Sequence, residues 1–319
     1  MRKNVNQVRI TGRIYGFGDA NGRQALEVKV TGPNSKAPGT EFIGGIMQVA
    51  VDDEGLNVIP VHFTYVTAVT SSGKTNNTFG VLKKIIEEEK TWLKVGAENA
   101  TMVKIDASVG LNDFYNNDNQ LVSSKLIEGS FVSTVSDLGP ENERSTFKTD
   151  MIITSVARTE ADPEANIDHD FVTVHGAVFN FRNALLPLDF TVRNAQGMSY
   201  FEDLNASPKD PVYTQVRGRI SCMTKTTEVK EESAFGDAAV RTYTRTTRDW
   251  EITWAAPSPY EFDTEDTITA DELVKALQDR EVYLADVKKR AEEYKASTAK
   301  PAAAATPAAP KAATGKFNF

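Results

Sequence analysis

Apolar and polar residues alternate along most of the chain, which is the pattern of β-strands with one buried face. The clearest run spans residues 5–15, where every second position from Val8 to Ile14 is apolar or glycine. This pattern predicts a strand with one core-facing side and one solvent-facing side. The solvent-facing side carries Arg9, Thr11, Arg13 and Tyr15.

The order of the predicted elements favours an oligonucleotide-binding (OB) barrel, a five-stranded barrel with a helix between its third and fourth strands. Strands are predicted at residues 5–15, 26–30, 46–51 and 58–69, before a helix at 79–90 that Asn77 or Thr78 can cap. Two more strands follow at 102–110 and 123–135, and residues 147–156 would close or extend the sheet.

A second copy of this arrangement is predicted downstream. Residues 172–178 repeat the phrase of the opening strand, with Gly176 in the place of Gly12. Strands at 171–179 and 188–193 and a long hairpin at 212–226 and 240–254 follow, and Trp250, Ile252 and Trp254 are expected in its core. The sequence therefore predicts a mainly β protein with two OB-type barrels in tandem.

These patterns divide the chain into five segments. The first OB-type domain is predicted at 1–158, an acidic linker at 159–170 and the second OB-type domain at 171–258. A helical segment at 259–296 begins with a capping box at Thr269–Glu272. Residues 297–319 form a flexible tail rich in alanine and proline, and its aromatic tip, Phe317 and Phe319, is predicted to bind a partner protein.

Composition narrows the class of protein. The 319 residues carry a net charge of −8, and the isoelectric point is near 5.1. This charge argues against coating duplex DNA but permits single-strand binding through a locally basic groove with stacking aromatics. A single cysteine excludes an internal disulfide, no apolar run could span a bilayer, and polar residues interrupt any signal peptide. A cytoplasmic location is expected.

Two segments resemble the single-stranded DNA-binding proteins of bacteria and their phages. They are residues 6–14, Asn-Gln-Val-Arg-Ile-Thr-Gly-Arg-Ile, and 212–220, Val-Tyr-Thr-Gln-Val-Arg-Gly-Arg-Ile. The resemblance implies strand sequestration in replication or recombination, and partner recruitment through a tail that ends in Phe319. Family tails carry an acidic run before the tip, whereas this one has Lys316. Two such domains in one chain resemble a phage protein more than the bacterial housekeeping protein of this family.

The outward strand faces are the candidate DNA-binding surfaces, because single strands need spaced cations and exposed rings on which bases stack. Such faces also carry arginine and tyrosine merely for cross-strand pairing. Phe114 and Tyr115 are predicted at a polar loop tip. The full set of predicted DNA-binding residues is Arg9, Arg13, Tyr15, Phe114, Tyr115, Tyr213, Arg217, Arg219, Arg241, Tyr243 and Arg245.

Three alternatives remain at this stage. Residues 68–75 approximate a phosphate-binding loop with Lys74 and Thr75, which would indicate a nucleotide hydrolase. Asp168, His169 and Asp170 could donate to a metal, although a solvated linker is the simpler interpretation. OB-type barrels can also serve a phage or cellular assembly protein, since fold does not fix function. No catalytic constellation is recognisable, so no enzyme activity, cofactor or metal is predicted; an oligomer is possible.

Overall fold

A computed structural model describes residues 4–298, apart from residues 20, 71, 166, 231–239 and 265–266. The side chains of residues 228–230, 240, 241 and 298 are also outside the description. Within these ranges the chain is mainly β, and eleven strands belong to one hydrogen-bonded sheet that is followed by a long helix. Residues 299–319 of the predicted tail, including Phe317 and Phe319, lie outside the described residues.

The first barrel is a closed ring of five strands. Strand β1 pairs with β3, β3 with β4, β4 in parallel with β6, β6 with β5, and β5 again with β1. A short strand, β2 (Glu27–Val30), extends the ring at β3. The ring strands are β1 (Asn6–Phe17), β3 (Glu41–Ala50), β4 (Val58–Thr67), β5 (Met102–Tyr115) and β6 (Leu121–Thr134).

The second barrel repeats this order of pairings. Its first strand pairs with the second and the fourth, and its third and fifth strands meet in parallel. The fourth and fifth strands form the longest hairpin of the molecule. The strands are β7 (Ser145–Thr159), β8 (Phe171–Phe179), β9 (Leu185–Val192), β10 (Val212–Lys230) and β11 (Val240–Ala255).

The prediction of two OB-type barrels is therefore confirmed, but two strands were placed wrongly. Strand β7, expected to complete the first barrel, is the first strand of the second barrel. Strand β8 was expected to be the first strand of the second barrel, but it is the second strand of that barrel. The sequence echo thus links non-equivalent strands, because Gly12 lies in β1 and Gly176 in β8. The predicted domain boundaries stay a prediction, and the pairing of β7 favours a division before Ser145.

A helix occupies the same place in both barrels, between the third and fourth strands. In the first, α1 (Asn77–Glu88) is capped by Asn76, whose side chain accepts a hydrogen bond from the Thr78 amide, so the cap precedes the predicted position. A four-residue helix, α2 (Trp92–Val95), follows. In the second barrel, α3 (Ala195–Asp203) is capped by Asn194 and buries Met198 and Phe201.

The C-terminal helix α4 (Ala270–Thr298) spans both barrels. Its predicted capping box is confirmed, because Thr269 and Glu272 exchange side-chain to backbone hydrogen bonds of 3.0 and 3.1 Å. Leu273 and Ala276 pack on a second-barrel cluster that includes Phe179 and Tyr213. Farther along, α4 contacts β5 of the first barrel. No helix in the described ranges is both long enough and apolar enough to cross a membrane.

Candidate nucleic-acid interface

The two barrels share one continuous sheet because β1 pairs with β7. The strand order across the junction is β6-β5-β1-β7-β10-β11, and all five pairings are antiparallel. With neighbouring strands about 4.8 Å apart, this surface is about 24 Å wide, which spans several phosphates. We call its outward side the shared face.

Register places the outward side chains in rows across the junction. Successive inward residues, such as Val8, Phe147 and Val216, are buried in the core. The residues between them therefore point outward. One row runs Phe131, Asp106, Arg9, Thr146, Arg219 and Glu251, and a second runs Gln7, Lys148, Arg217 and Trp254.

The cations of the shared face are held only weakly. Arg9 lies 3.4 Å from Asp106 and Arg219 lies 3.9 Å from Glu251, in largely exposed pairs. Such pairs contribute only about 0–1 kcal/mol, so a phosphate can replace either carboxylate at little cost. In the described part of the chain, Lys148 has no ion pair, and it lies between Gln7 and Arg217 in the second row.

A β-bulge brings a tryptophan onto the shared face. The β10–β11 register shifts between Arg217, which opposes Trp254, and Gly218, which opposes Ile252. The extra residue reverses the alternation, so Trp254 is 42% exposed instead of lying in the core with Trp250. The prediction that Trp254 is buried is therefore wrong. The Arg217 guanidinium lies 4.4 Å from the centroid of its ring.

The hairpin of β10 and β11 carries the shared face beyond the barrel. Lys225 opposes Arg245 and Thr227 opposes Tyr243, on the same side as Arg219. We call residues 223–230 and 240–247 the arm. Tyr243 and Arg245 are exposed there, as the sequence predicts. Arg241 belongs to β11, but its side chain lies outside the described residues.

The free edge of β10 at the base of the arm rests on the first barrel. The Cys222 amide donates to Asn57 Oδ1 at 2.8 Å, and the Thr224 amide donates to the Leu56 carbonyl at 2.9 Å. Burial, together with the positive charge of Arg248, lowers the pKa of His62 on β4. The arm is therefore positioned by both barrels.

Three predicted DNA-binding residues are not on an open surface. Tyr213 is fully buried, because Tyr260 and Phe262 cover that end of β10, so its predicted exposure is wrong. Arg13 donates to Asp53 at 3.1 Å, and Tyr15 packs on Trp92.

Asp53 binds a second arginine as well as Arg13. Arg144 donates to the same oxygen at 2.8 Å. Its hydrogen bond is the main reason why the pKa of Asp53 is lowered, and Arg13 adds to the effect. Arg13 is thus bound within the protein, whereas Arg9 on the same strand lies on the shared face.

The β5–β6 hairpin tip, expected to contact DNA through Phe114 and Tyr115, is partly occupied by α4. Phe114 is exposed and Tyr115 is half-buried at the end of β5. Lys295 of α4 donates to the carbonyls of Asn116 and Asn117 and to the side chain of Asn119. Helix α4 therefore holds the loop at this tip, and the contact of Phe114 and Tyr115 with DNA stays a prediction.

Several residues of the shared face were not predicted. Lys148 lies in a strand that was predicted at residues 147–156, but that strand was expected to close or extend the first sheet. Phe131 on β6 is 69% exposed. It opposes Asp106, whereas Gly129 opposes Ala107, so a bulge in β6 interrupts the alternation of apolar and polar residues there. The sequence did not indicate that Trp254 is exposed, because the bulge depends on how β11 pairs with β10. Lys104, opposite Thr11, completes the set.

The phosphate-loop hypothesis lacks the local geometry that it requires. In the turn before α1, the Gly73 and Lys74 amides donate to Thr70, so they do not form an open anion nest. Strand β5, which follows the helix, pairs with β1 and β6.

Among the residues that the structure describes, no group of three His, Cys, Asp or Glu side chains could hold a metal ion, and Asp170 pairs with Arg158.

Comparison with known proteins gave a family match and several similar solved structures. A family model described as YorF matches residues 6–290. The chain is similar to a crystal structure of a deletion mutant of the single-stranded DNA-binding protein from Thermus aquaticus, with 12% identity over 83% of this chain and 100% of that one and a TM-score of 0.46. The chain is also similar to a crystal structure of the wild-type protein from the same organism. That match has 11% identity over 82% of this chain and 97% of that one, with a TM-score of 0.43. No curated protein matches the sequence.

Proposed function

We propose that this chain, which belongs to the YorF family, binds single-stranded DNA along the shared face and the arm. The observation that carries the proposal is the continuity of one outward sheet surface across both barrels. That surface aligns Arg9, Lys148, Arg217 and Arg219 with two exposed rings, Phe131 and Trp254.

The chemistry of this surface suits a single strand of any sequence. Cations in successive strands can follow the phosphate backbone, and exposed rings offer stacking that does not discriminate among bases. Local positive charge is compatible with the net charge of −8, because the attraction acts within a Debye length of about 8–10 Å. Binding is therefore expected to be strong at low salt and to weaken steeply as salt rises.

Titration of fluorescent oligo-dT at several salt concentrations tests this proposal. We expect the logarithm of the binding constant to fall linearly with the logarithm of salt concentration, with a slope of about −0.7 for each phosphate contacted. Absence of binding at low salt, or an affinity independent of salt, would contradict it. Duplex DNA of the same length should bind more weakly.

A pair of variants locates the surface. Replacing Arg217 and Arg219 with alanine should reduce the slope by about 0.7 for each lost phosphate contact. Replacing Lys288 and Arg290, which are exposed on α4, removes the same charge from an element that is not part of the shared face and serves as the control. Equal losses in the two double variants would show that only net charge matters.

We also propose that the protein acts in the cytoplasm during replication or recombination, and that residues 297–319 recruit a partner protein. Phe317 and Phe319 end a low-complexity segment that is otherwise free of aromatic residues, which favours a tethered recognition tip. Changing both to alanine in the full chain should leave oligo-dT affinity unchanged and abolish retention of a purified replication or recombination protein. Unchanged retention would exclude the tip as the recruiting element.

A further inference from the structure

A small cleft lies beside the shared face, between α3 and β11. Its volume is about 300 Å³, at the lower end of the range for small-molecule sites. The apolar lining comes from α3, β11, the end of β9 and the turn after β11. It includes Val192, Tyr200, Phe201, Ile252, Trp254 and Pro257.

Trp254 belongs to both the cleft and the shared face. The bulge that turns its indole outward also sets it at the cleft wall, while Arg217 lies over the same ring. A strand that follows the row of Lys148 and Arg217 therefore reaches Trp254 and then the cleft. This continuity distinguishes the cleft from an isolated surface depression.

The rim offers hydrogen-bonding groups for a polar ring edge. The Asn194 side-chain oxygen already accepts from the Gly197 amide at 3.1 Å, which leaves the Asn194 amide group available as a donor. Gln196 is exposed at the rim, and its side chain forms no hydrogen bond among the described residues. The Tyr200 hydroxyl donates to the Ala256 carbonyl at 2.9 Å, which fixes the opposite wall.

We propose that this cleft receives one unstacked nucleobase from a DNA strand lying on the shared face. The inference rests on the proposed single-strand binding and adds a specific base-binding site to it. A flat heterocycle matches an apolar cleft of this size with aromatic walls, and its polar edge would meet Asn194 and Gln196. The site gives the strand a fixed register on the protein.

The experiment is a lesion scan with the full chain. A set of oligo-dT strands, each with one abasic nucleotide at a different position, is titrated at constant salt. Loss of the base that occupies the cleft should weaken binding by roughly 5- to 100-fold, since each stacked base contributes about 1–3 kcal/mol and 1.4 kcal/mol is tenfold. Lesions at unstacked positions should have little effect, because the phosphates remain.

A variant that fills the cleft provides the matching test. Gln196→Phe places a ring at the rim, and Ser199→Phe places the same ring on another exposed position of α3 that does not line the cleft. The Gln196 variant should bind intact oligo-dT roughly 5- to 100-fold more weakly and lose its sensitivity to the lesion position. The Ser199 variant should behave like the wild type.

The outcomes separate the two proposals. Strong salt-dependent binding with a flat lesion scan, or unchanged affinity of Gln196→Phe, overturns the cleft and leaves the shared face standing. Failure of the wild type to bind any oligonucleotide overturns both.

Discussion

Arg280 on α4 donates two hydrogen bonds of 2.7 Å to the carboxylate of Asp113 on β5. The side chains are only 11% and 1% exposed, so this ion pair is buried at the contact between α4 and the first barrel. Ser123 on β6 donates a third hydrogen bond to the same carboxylate. Since the start of α4 packs on the second barrel, the pair ties the two barrels together.

Removing the arginine should destabilise the protein substantially. Arg280→Ala leaves Asp113 buried, with Ser123 as its remaining side-chain partner among the described residues. Breaking a buried pair in this way costs about 3–5 kcal/mol. Denaturant unfolding measures the loss. Arg290→Ala, which removes a largely exposed partner of Asp286, should cost only about 0–1 kcal/mol. A similar small cost for both variants would refute the structural importance of the buried pair.

The same pair should make stability depend on pH in the acid range. Burial tends to raise the pKa of Asp113, but the hydrogen bonds from Arg280 and Ser123 together outweigh it, so the net pKa is lowered. A carboxylate with a lowered folded pKa stabilises fully above its unfolded pKa of about 3.9 and loses this contribution as pH falls through the folded value.

Comparison of the wild type with Asp113→Asn tests this dependence. The free energies of unfolding should differ most above about pH 5. The difference should shrink as pH falls below the unfolded pKa of about 3.9, and it should be lost as pH falls through the lower folded pKa, where the buried carboxylate becomes neutral. Asp286→Asn, at an exposed ion pair, is the control and should differ little from the wild type throughout. A difference that grows toward acid would have the wrong sign for a lowered pKa.

Two tryptophans on one strand should have opposite roles. Trp254→Ala should weaken oligo-dT binding by about 1–3 kcal/mol with little loss of stability, since the ring is partly exposed on the shared face. Trp250→Ala should instead cost about 3–5 kcal/mol of stability, because Trp250 is buried against Phe147 and Phe190. Binding titrations and thermal unfolding of both variants test this. A large loss of stability in Trp254→Ala, or a small one in Trp250→Ala, would contradict the assigned roles.

The bulge that exposes Trp254 depends on a glycine. A Cβ on Gly218 would lie 1.9 Å from the Glu251 carbonyl oxygen and 2.6 Å from the Phe147 ring, so Gly218→Ala should prevent close pairing of β10 and β11 and destabilise the second barrel. A Cβ added to Gly80 in α1 would meet no atom within 4 Å outside the helix's own backbone, and Gly80→Ala should stabilise by about 0.5–1 kcal/mol. Thermal unfolding that left Gly218→Ala unchanged would contradict this close approach.

Local periodicity predicted most of the elements and part of the site. Alternation identified the strands because a sheet with one buried face requires it, and the capping box identified the start of α4 because its two hydrogen bonds are local. The outward positions of Arg217, Arg219, Tyr243 and Arg245 followed from the same period of two. These properties depend on residues close together in the chain, so the sequence by itself determined them.

The neighbours of each strand were decided only by the tertiary structure. Periodicity could not show that β7 joins β1 to the second barrel, that Tyr260 and Phe262 cover Tyr213, or that Arg144 shares Asp53 with Arg13. The bulge at Trp254 likewise depends on how two distant strands align. An alternating pattern states which side chains lie on opposite sides of a strand, but burial also depends on what packs against each side.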